Sequence, residues 1–84
     1  MKITWDEPKR QTNLAKRGMD FAALDLAFFA AATVAPAKKN RFMAVGVFQG
    51  AVVAVIFAPL GSEALAVISM RRASRKERAA HGYA

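Results

Sequence analysis

The alternation of polar and apolar residues at the start of the chain predicts a strand followed by a helix. Lys2 to Trp5 alternates with the period of a short strand. Asp6 suits a helix N-cap, while Glu7 and Pro8 suit the first turn, where a carboxylate complements the dipole and a missing N–H costs little. Gly18 is placed to end this helix.

Apolar residues recur at helical spacing after Asp20, which predicts a second helix. The recurring positions are Phe21, Leu24, Phe28 and Ala32. We expect Pro36 to end this helix or to lie in the loop beyond it.

Strand signals dominate the middle of the chain. Arg41 to Phe48 and Ala51 to Ala58 are strand-length apolar runs separated by Gln49-Gly50, which predicts a hairpin with a tight turn. The second run is apolar at every position, as in a central strand covered on both faces. Pro59 to Ser62 has turn composition, and Ala64 to Met70 predicts a further strand.

The chain closes with a predicted short helix, since Ser74 and Glu77 match the capping-box spacing. The element order then predicts one small α+β domain over residues 1–84, with an antiparallel sheet, two N-terminal helices and a short C-terminal helix. We expect the helices to cover one face of that sheet.

One apolar stretch allows a different interpretation. Phe42 to Leu60 approaches the ~20 residues that span a bilayer. Gln49-Gly50 interrupts it, however, and two spans would leave positive charge on both sides of a membrane. A sheet hairpin is therefore favoured over a membrane protein.

Charge changes the picture, because thirteen Lys plus Arg face six Asp plus Glu, for a net charge of +7. The basic residues are Lys2; Lys9, Arg10, Lys16 and Arg17; Lys38, Lys39 and Arg41; and Arg71, Arg72, Arg75, Lys76 and Arg78. This balance indicates a polyanionic partner, which is nucleic acid, an anionic membrane or an acidic protein. The absence of cysteine and the charged N-terminus, which lacks a signal-peptide core, favour the cytoplasm.

Two basic motifs carry a family resemblance. The first comprises Trp5, Asp6, Lys9, Asn13, Lys16, Gly18 and Phe21. The second comprises Ile68, Ser69, Arg71, Ala73, Ser74, Arg75, Glu77 and Arg78. Together with Arg41 followed by Gly46, they resemble the BrnT family over nearly the whole chain.

The resemblance implies a RelE-like fold and a toxin of a type II toxin–antitoxin pair, a ribonuclease that halts translation. It further implies neutralisation by a BrnA-like ribbon-helix-helix antitoxin, through which alone the pair would bind operator DNA. RNA, free or on the ribosome, would be the substrate, and no membrane is involved. At two positions the chain departs from the family pattern: Arg17 stands where histidine is common, and Ala66 where arginine is common. A catalytically weakened binding module that assists repression is therefore the alternative.

Four residues are candidates for catalysis. RNA cleavage needs proton transfers and stabilisation of charge on the phosphate. Arg71 offers a forked, permanently charged donor set for the phosphate. Lys9 is either a phosphate ligand or an acid–base group, Arg41 has a similar but weaker claim, and His81, the only histidine, is a candidate proton carrier. The structural alternatives are a strand end in water for Arg71, a solvated helix face for Lys9, a loop for Arg41 and an exposed tail for His81.

Further basic residues are candidates for holding RNA without reacting with it. They are Lys16, Arg17, Arg75, Lys76 and Arg78. Trp5 and Phe21 are better explained by core packing and Glu77 by helix capping. The sequence contains no Gly-rich phosphate loop and no spaced set of metal ligands, so we predict neither a cofactor nor a metal site.

Overall fold

The computed structural model describes residues 1–83, which fold as an α+β structure around one five-stranded sheet. The elements are β1 (Lys2–Trp5), α1 (Glu7–Arg17), a 3-10 turn (Phe21–Ala23), α2 (Leu26–Ala31), β2 (Thr33–Pro36), β3 (Phe42–Phe48), β4 (Ala51–Leu60), β5 (Ala64–Arg72) and α3 (Arg75–Ala80). The strand order is β1-β5-β4-β3-β2. The predicted fold class is confirmed, and β4 is the central strand, as expected.

Both ends of α1 form as the sequence predicts. The Asp6 carboxylate accepts a hydrogen bond from the backbone N–H of Lys9 at 3.3 Å. Gly18 ends the helix with φ of 68°, a left-handed conformation that glycine adopts without steric cost. Its N–H donates to the carbonyl of Leu14 at 2.9 Å.

The predicted continuous second helix is wrong. Asp20 caps only the 3-10 turn, after which Leu24 is extended, with φ of −71° and ψ of 146°. Asp25 then starts α2 by accepting from the N–H of Phe28 at 2.9 Å. Two aspartates five positions apart each satisfy helix N–H groups, so the chain begins two short helical segments instead of one.

Pro36 lies in a strand that the sequence did not predict. Thr33–Pro36 forms β2, which pairs antiparallel with β3 at the edge of the sheet. An edge strand leaves one row of backbone groups unpaired, so a residue without an N–H is tolerated there. Proline therefore marks the end of an edge strand here, and not a loop.

The predicted hairpin is confirmed, although its first strand begins at Phe42 and not at Arg41. Gln49 and Gly50 have φ of 49° and 80°, the paired positive values of a two-residue hairpin turn. The second strand continues through Pro59 to Leu60, past the predicted end at Ala58. Since β3 pairs with β4 only as far as Phe57, Pro59 has no partner on that side and breaks no hydrogen bond there.

The strand β5 departs from a simple antiparallel sheet in two ways. Its first half, up to Val67, pairs parallel with β1, which the sequence did not predict. Against β4, the register shifts by one residue, since Ile56 pairs with Ser69 but Phe57 pairs with Val67. This bulge at Ile68 places Val67 and Met70 on one face of the sheet and turns Arg71 to the other.

The first face of the sheet carries the main core, beneath α1, the 3-10 turn and α2. The buried members are Phe21, Leu24, Phe28, Ala44, Val53, Val55, Phe57, Leu65, Val67 and Met70. Gly46 allows α2 to approach, because a Cβ there would lie 3.1 Å from the Cβ of Ala32. Trp5 packs at the margin of this core and Phe21 in it, as their sequence interpretation required.

The second face is covered by α3, not left free as we expected. Val45 and Ala54 pair across β3 and β4 on this face, and both are buried. At the two ends of their row, Arg71 bonds to Glu77 and Thr33 bonds to His81. The C-terminal helix is therefore fastened across the sheet by two polar contacts.

The proposed membrane segment, Phe42 to Leu60, forms the β3–β4 hairpin. Within residues 1–83, no helix has the length and apolar character needed to cross a bilayer.

Candidate active site

An open groove of about 400 Å³ lies between α1 and the second half of β5. Because β1 pairs with β5 only up to Val67, the edge of β5 beyond this residue faces α1. Asn13 joins the two elements: its Oδ1 accepts from the N–H of Met70 at 3.1 Å, and its Nδ2 donates to the carbonyl of Met19 at 3.0 Å. The amide thus fixes the distance between the groove walls.

The wall formed by α1 is cationic. Lys9, Lys16 and Arg17 line it, and within residues 1–83 their side chains make no hydrogen bond or ion pair. Arg10 points away from the groove and forms ion pairs with Glu7 at 2.7 Å and Asp20 at 3.0 Å. The charges of the groove are therefore available to an anion, while that of Arg10 is not.

The wall formed by β5 contributes Arg71, whose guanidinium is held by Glu77. Its Nη1 donates to Oε1 at 2.6 Å and its Nη2 to Oε2 at 2.7 Å, and Nη1 also donates to the carbonyl of Arg72. Five N–H groups are present on a guanidinium. These contacts leave Nε–H and the second N–H of Nη2, which together form one edge of the fork. That edge matches the spacing of two phosphate oxygens.

The same contacts set the charges of the pair. The bonds from Arg71, assisted by the backbone N–H of Ser74, lower the pKa of Glu77 to about 2 against the opposing effect of partial burial. The pKa of Arg71 is raised by its bonds to Glu77. Both groups are charged at neutral pH, and Glu77 acts as an orienting anion as well as the predicted capping residue.

Two predicted catalytic residues lie outside this groove. His81 caps α3 and its Nδ1 contacts the Thr33 hydroxyl at 2.5 Å. Thr33 and Arg71 are three strands apart in one row, or roughly 14 Å. Arg41 precedes β3 at the other end of the sheet, roughly 16 Å from Arg71 by strand geometry. The structure thus brings together Lys9 and Arg71, but neither Arg41 nor His81 with them.

The basic residues of α3 also lie apart from the groove. Arg75, Lys76 and Arg78 are exposed on this helix, and none of them lines the groove. Arg78 instead lines a shallow cleft with Arg72 near the β3–β4 turn. Of the predicted RNA-binding set, only Lys16 and Arg17 therefore line the groove with Arg71.

Sequence reasoning missed the role of Asn13. The residue belongs to the first motif, but the sequence did not indicate its hydrogen-bond partner. That partner lies on the free edge of β5, which exists only because β1 pairs in parallel with the first half of the strand. A short polar residue on the inner side of a basic helix face was the available signal. Thr12 and Ser69 add hydroxyl groups to the same groove.

Known proteins resemble this chain in both sequence and fold. Residues 5–77 match the family described as "Ribonuclease toxin, BrnT, of type II toxin-antitoxin system". The chain belongs to the BrnT family. A crystal structure of the Brucella abortus ribonuclease toxin BrnT is 63% identical, covers 89% of this chain and 99% of its own, and has a TM-score of 0.84. No curated protein matches the chain.

Membership of the BrnT family shows what the protein acts on and what binds it. The chain is a ribonuclease toxin of a type II toxin–antitoxin system, so RNA is its substrate and an antitoxin is its partner. Both walls of the groove lie within the matched residues, whereas Arg78 and His81 lie beyond them. Of the two departures from the family pattern, Arg17 lines the groove, but Ala66 does not, since it pairs with Thr4 and Ala58 before the bulge.

Proposed function

We propose that this BrnT-family ribonuclease cleaves RNA in the groove between α1 and β5 without a metal ion. The oriented, permanently charged fork of Arg71 carries the proposal, because Arg71 lines the same groove as Lys9, Lys16 and Arg17. The side chains of these three residues have no hydrogen-bond or ion-pair partner among residues 1–83. Four positive side chains repel a divalent cation and attract a phosphate diester. The scissile phosphate would bind at Arg71.

In this mechanism the chain supplies charge and proton transfer from opposite walls. Arg71 stabilises the negative charge that develops on the phosphate oxygens as the 2′-oxygen attacks. Lys9, an amine that can carry a proton, is the proposed acid–base group. Lys16 and Arg17 hold flanking phosphates. Catalytic roles for Arg41 and His81, and RNA binding by Arg75, Lys76 and Arg78, stay predictions from the sequence.

Cleavage of single-stranded RNA in the presence of EDTA tests this mechanism. We expect wild-type protein to cleave, and Arg71→Ala to lose roughly 100-fold or more in kcat, the effect of removing a transition-state charge donor. Lys38→Ala removes the same charge from a distant loop and should match wild type. Equal cleavage by Arg71→Ala and wild type would exclude Arg71. Loss of all activity with EDTA would exclude metal independence.

The same experiment decides between an active toxin and a catalytically weakened binding module. Arg17 is the one departure from the family pattern that lines the groove. An arginine there can bind phosphate but does not transfer protons at neutral pH. We expect Arg17→Ala to raise KM more than it lowers kcat. RNA binding by wild type without any cleavage would support the binding module instead.

For the cellular role, we propose that the protein arrests translation in the cytoplasm. We also propose that a BrnA-like ribbon-helix-helix antitoxin neutralises it. Family membership and the cationic groove support this, because an acidic antitoxin segment would compete with RNA for the same charges. Expression with and without the adjacent reading frame tests it: growth should stop without that frame and recover with it. Growth unaffected by the chain alone would contradict the proposal.

A further inference from the structure

Beside the groove, a second cleft of about 300 Å³ opens where the β3–β4 turn, the end of β5 and the end of α1 meet. Arg17 lines both the groove and this cleft, so the two form a continuous surface. Arg72 also lines this cleft. It follows Arg71 directly, but adjacent residues of a strand point to opposite faces, so the two arginines serve different surfaces.

We propose that this cleft is a nucleotide subsite for single-stranded RNA. It binds a nucleotide next to, but outside, the two nucleotides that are joined by the phosphate at Arg71. The inference rests on the proposed function of the groove and extends it to the length of RNA recognised. Three features carry it: two arginines with no side-chain partner among residues 1–83, an aromatic ring with fixed orientation, and an exposed amide.

The charge of the cleft suits a phosphate. Within residues 1–83, the side chains of Arg17 and Arg72 make no hydrogen bond or ion pair, and both are exposed. One carboxylate, that of Asp20, also lines the cleft. It is compensated by Arg10 at 3.0 Å and by the N–H of Ala22 at 3.0 Å. The two arginines therefore leave a net positive site.

The remaining lining suits a base. Phe48 is half-buried in the cleft and held edge-to-face against Phe28, with ring centroids 6.4 Å apart. Proteins that bind single-stranded RNA commonly stack bases on such rings beside arginine. Gln49, at the exposed hairpin turn, offers an amide that can both donate to and accept from a base edge. Phosphate, stacking and amide contacts thus occur together.

The test measures binding of uncleavable 2′-O-methyl RNA, so it does not depend on catalysis. Arg72→Gln should weaken binding of a hexanucleotide roughly ten-fold, as expected for one lost nucleotide contact, and reduce the salt slope by about one. Binding of a dinucleotide, which fits the groove alone, should not change. Lys38→Gln, with the same loss of charge at the opposite end of the sheet, should bind both like wild type.

A second variant isolates the base contact from the charge. Phe48→Leu keeps an apolar side chain but removes the stacking surface, and should also weaken hexanucleotide binding while leaving the dinucleotide unaffected. Thermal unfolding of each variant shows whether it is folded. If Arg72→Gln equals Lys38→Gln, or if both RNA lengths lose affinity equally, the subsite is overturned. If Arg72→Gln weakens antitoxin binding and leaves hexanucleotide binding unchanged, the cleft belongs to the protein partner and the RNA proposal also fails.

Failure of the subsite and failure of the proposed function give different results. Wild-type protein that binds the hexanucleotide through Arg72 but cleaves no RNA would refute the ribonuclease mechanism of the groove and leave the subsite intact. Cleavage that depends on Arg71, together with hexanucleotide binding that is unchanged in Arg72→Gln, would refute the subsite and leave the ribonuclease mechanism intact.

Discussion

At the scale of single residues, the ion pair between Arg71 and Glu77 joins folding to chemistry. Its carboxylate accepts from the guanidinium through both oxygens and from the N–H of Ser74 through one of them. The side chains are 35% and 19% exposed, so water screens the pair only in part. One carboxylate thereby caps α3, fastens it to β5 and orients the proposed phosphate ligand.

Glu77→Gln should lower kcat roughly ten-fold with a smaller change in KM. The amide keeps the size of the side chain, but it places a donor against the donors of Arg71 and releases the guanidinium from its fixed orientation. We also expect a loss of about 1–2 kcal/mol in the free energy of unfolding. Steady-state cleavage of RNA and urea unfolding measure the two effects.

Ser74→Ala is the matched control for that variant. It removes the hydroxyl that accepts from the N–H of Glu77 at 3.1 Å, but leaves the pair between Arg71 and Glu77 in place. Loss of a cap costs about 1 kcal/mol. Its kcat should therefore stay near that of wild type at similar stability. If both variants lose activity equally, Glu77 acts through stability alone.

At the scale of elements, the site depends on how α1 meets the unpaired edge of β5. The side chain of Asn13 takes the place of a further strand, since it bonds to the N–H of Met70 and to the carbonyl of Met19. Substituting it leaves a partly buried N–H without an acceptor. The spacing between the groove walls is then no longer fixed by a hydrogen bond.

Asn13→Ala should lower the free energy of unfolding by about 1–3 kcal/mol, the cost of leaving such a group unpaired. Amide exchange at Met70 should accelerate relative to its neighbours, because this N–H loses its acceptor while β5 stays paired to β4. Gln11→Ala is the control, since it removes only an exposed hydrogen bond to Glu7 on the same helix. Unchanged exchange at Met70 in Asn13→Ala would contradict the role given to the amide.

Local signals in the sequence predicted most elements correctly. Asp6 and Gly18 bounded α1, Gln49-Gly50 specified the hairpin, and Ser74 with Glu77 specified α3, because caps and turns depend on neighbouring residues alone. The signal that divides the second helix at Asp25 was also local. Predicting that division required choosing between two aspartates, Asp20 and Asp25, that are equally suited to cap a helix.

The features that escaped prediction depend on contacts distant in the chain. The strand at Pro36 exists only because β3 offers an edge, and the parallel pairing of β1 spans most of the sequence. The bulge at Ile68 decides which face Arg71 occupies, and it is defined only against β4. The motifs in the sequence could thus assign Lys9 and Arg71 to one site. They could not show that Arg41 and His81 lie outside that site.

At the scale of the whole molecule, a small basic protein carries few acidic groups, and contacts with cations lower the pKa of two of them strongly. Bonds from Arg10 and Trp5 lower the pKa of Glu7 to about 2, and bonds from Arg71 lower that of Glu77 to about 2. The ordinary value is 4.5. A carboxyl whose pKa is lower in the folded state contributes stability above its unfolded pKa and loses it as the pH falls toward the folded one.

The free energy of unfolding should therefore be constant near neutral pH and fall between about pH 4.5 and pH 2. Protonation of these two carboxyls also raises a net charge that is already +7, which adds repulsion. Urea unfolding at steps of pH measures the slope. The double variant Glu7→Gln and Glu77→Gln, less stable at pH 7, should show a flatter slope in this window, because neither position then binds a proton. If the slope of the double variant equals that of wild type, the acid sensitivity arises from other carboxyls, and these two contacts do not link the fold to pH.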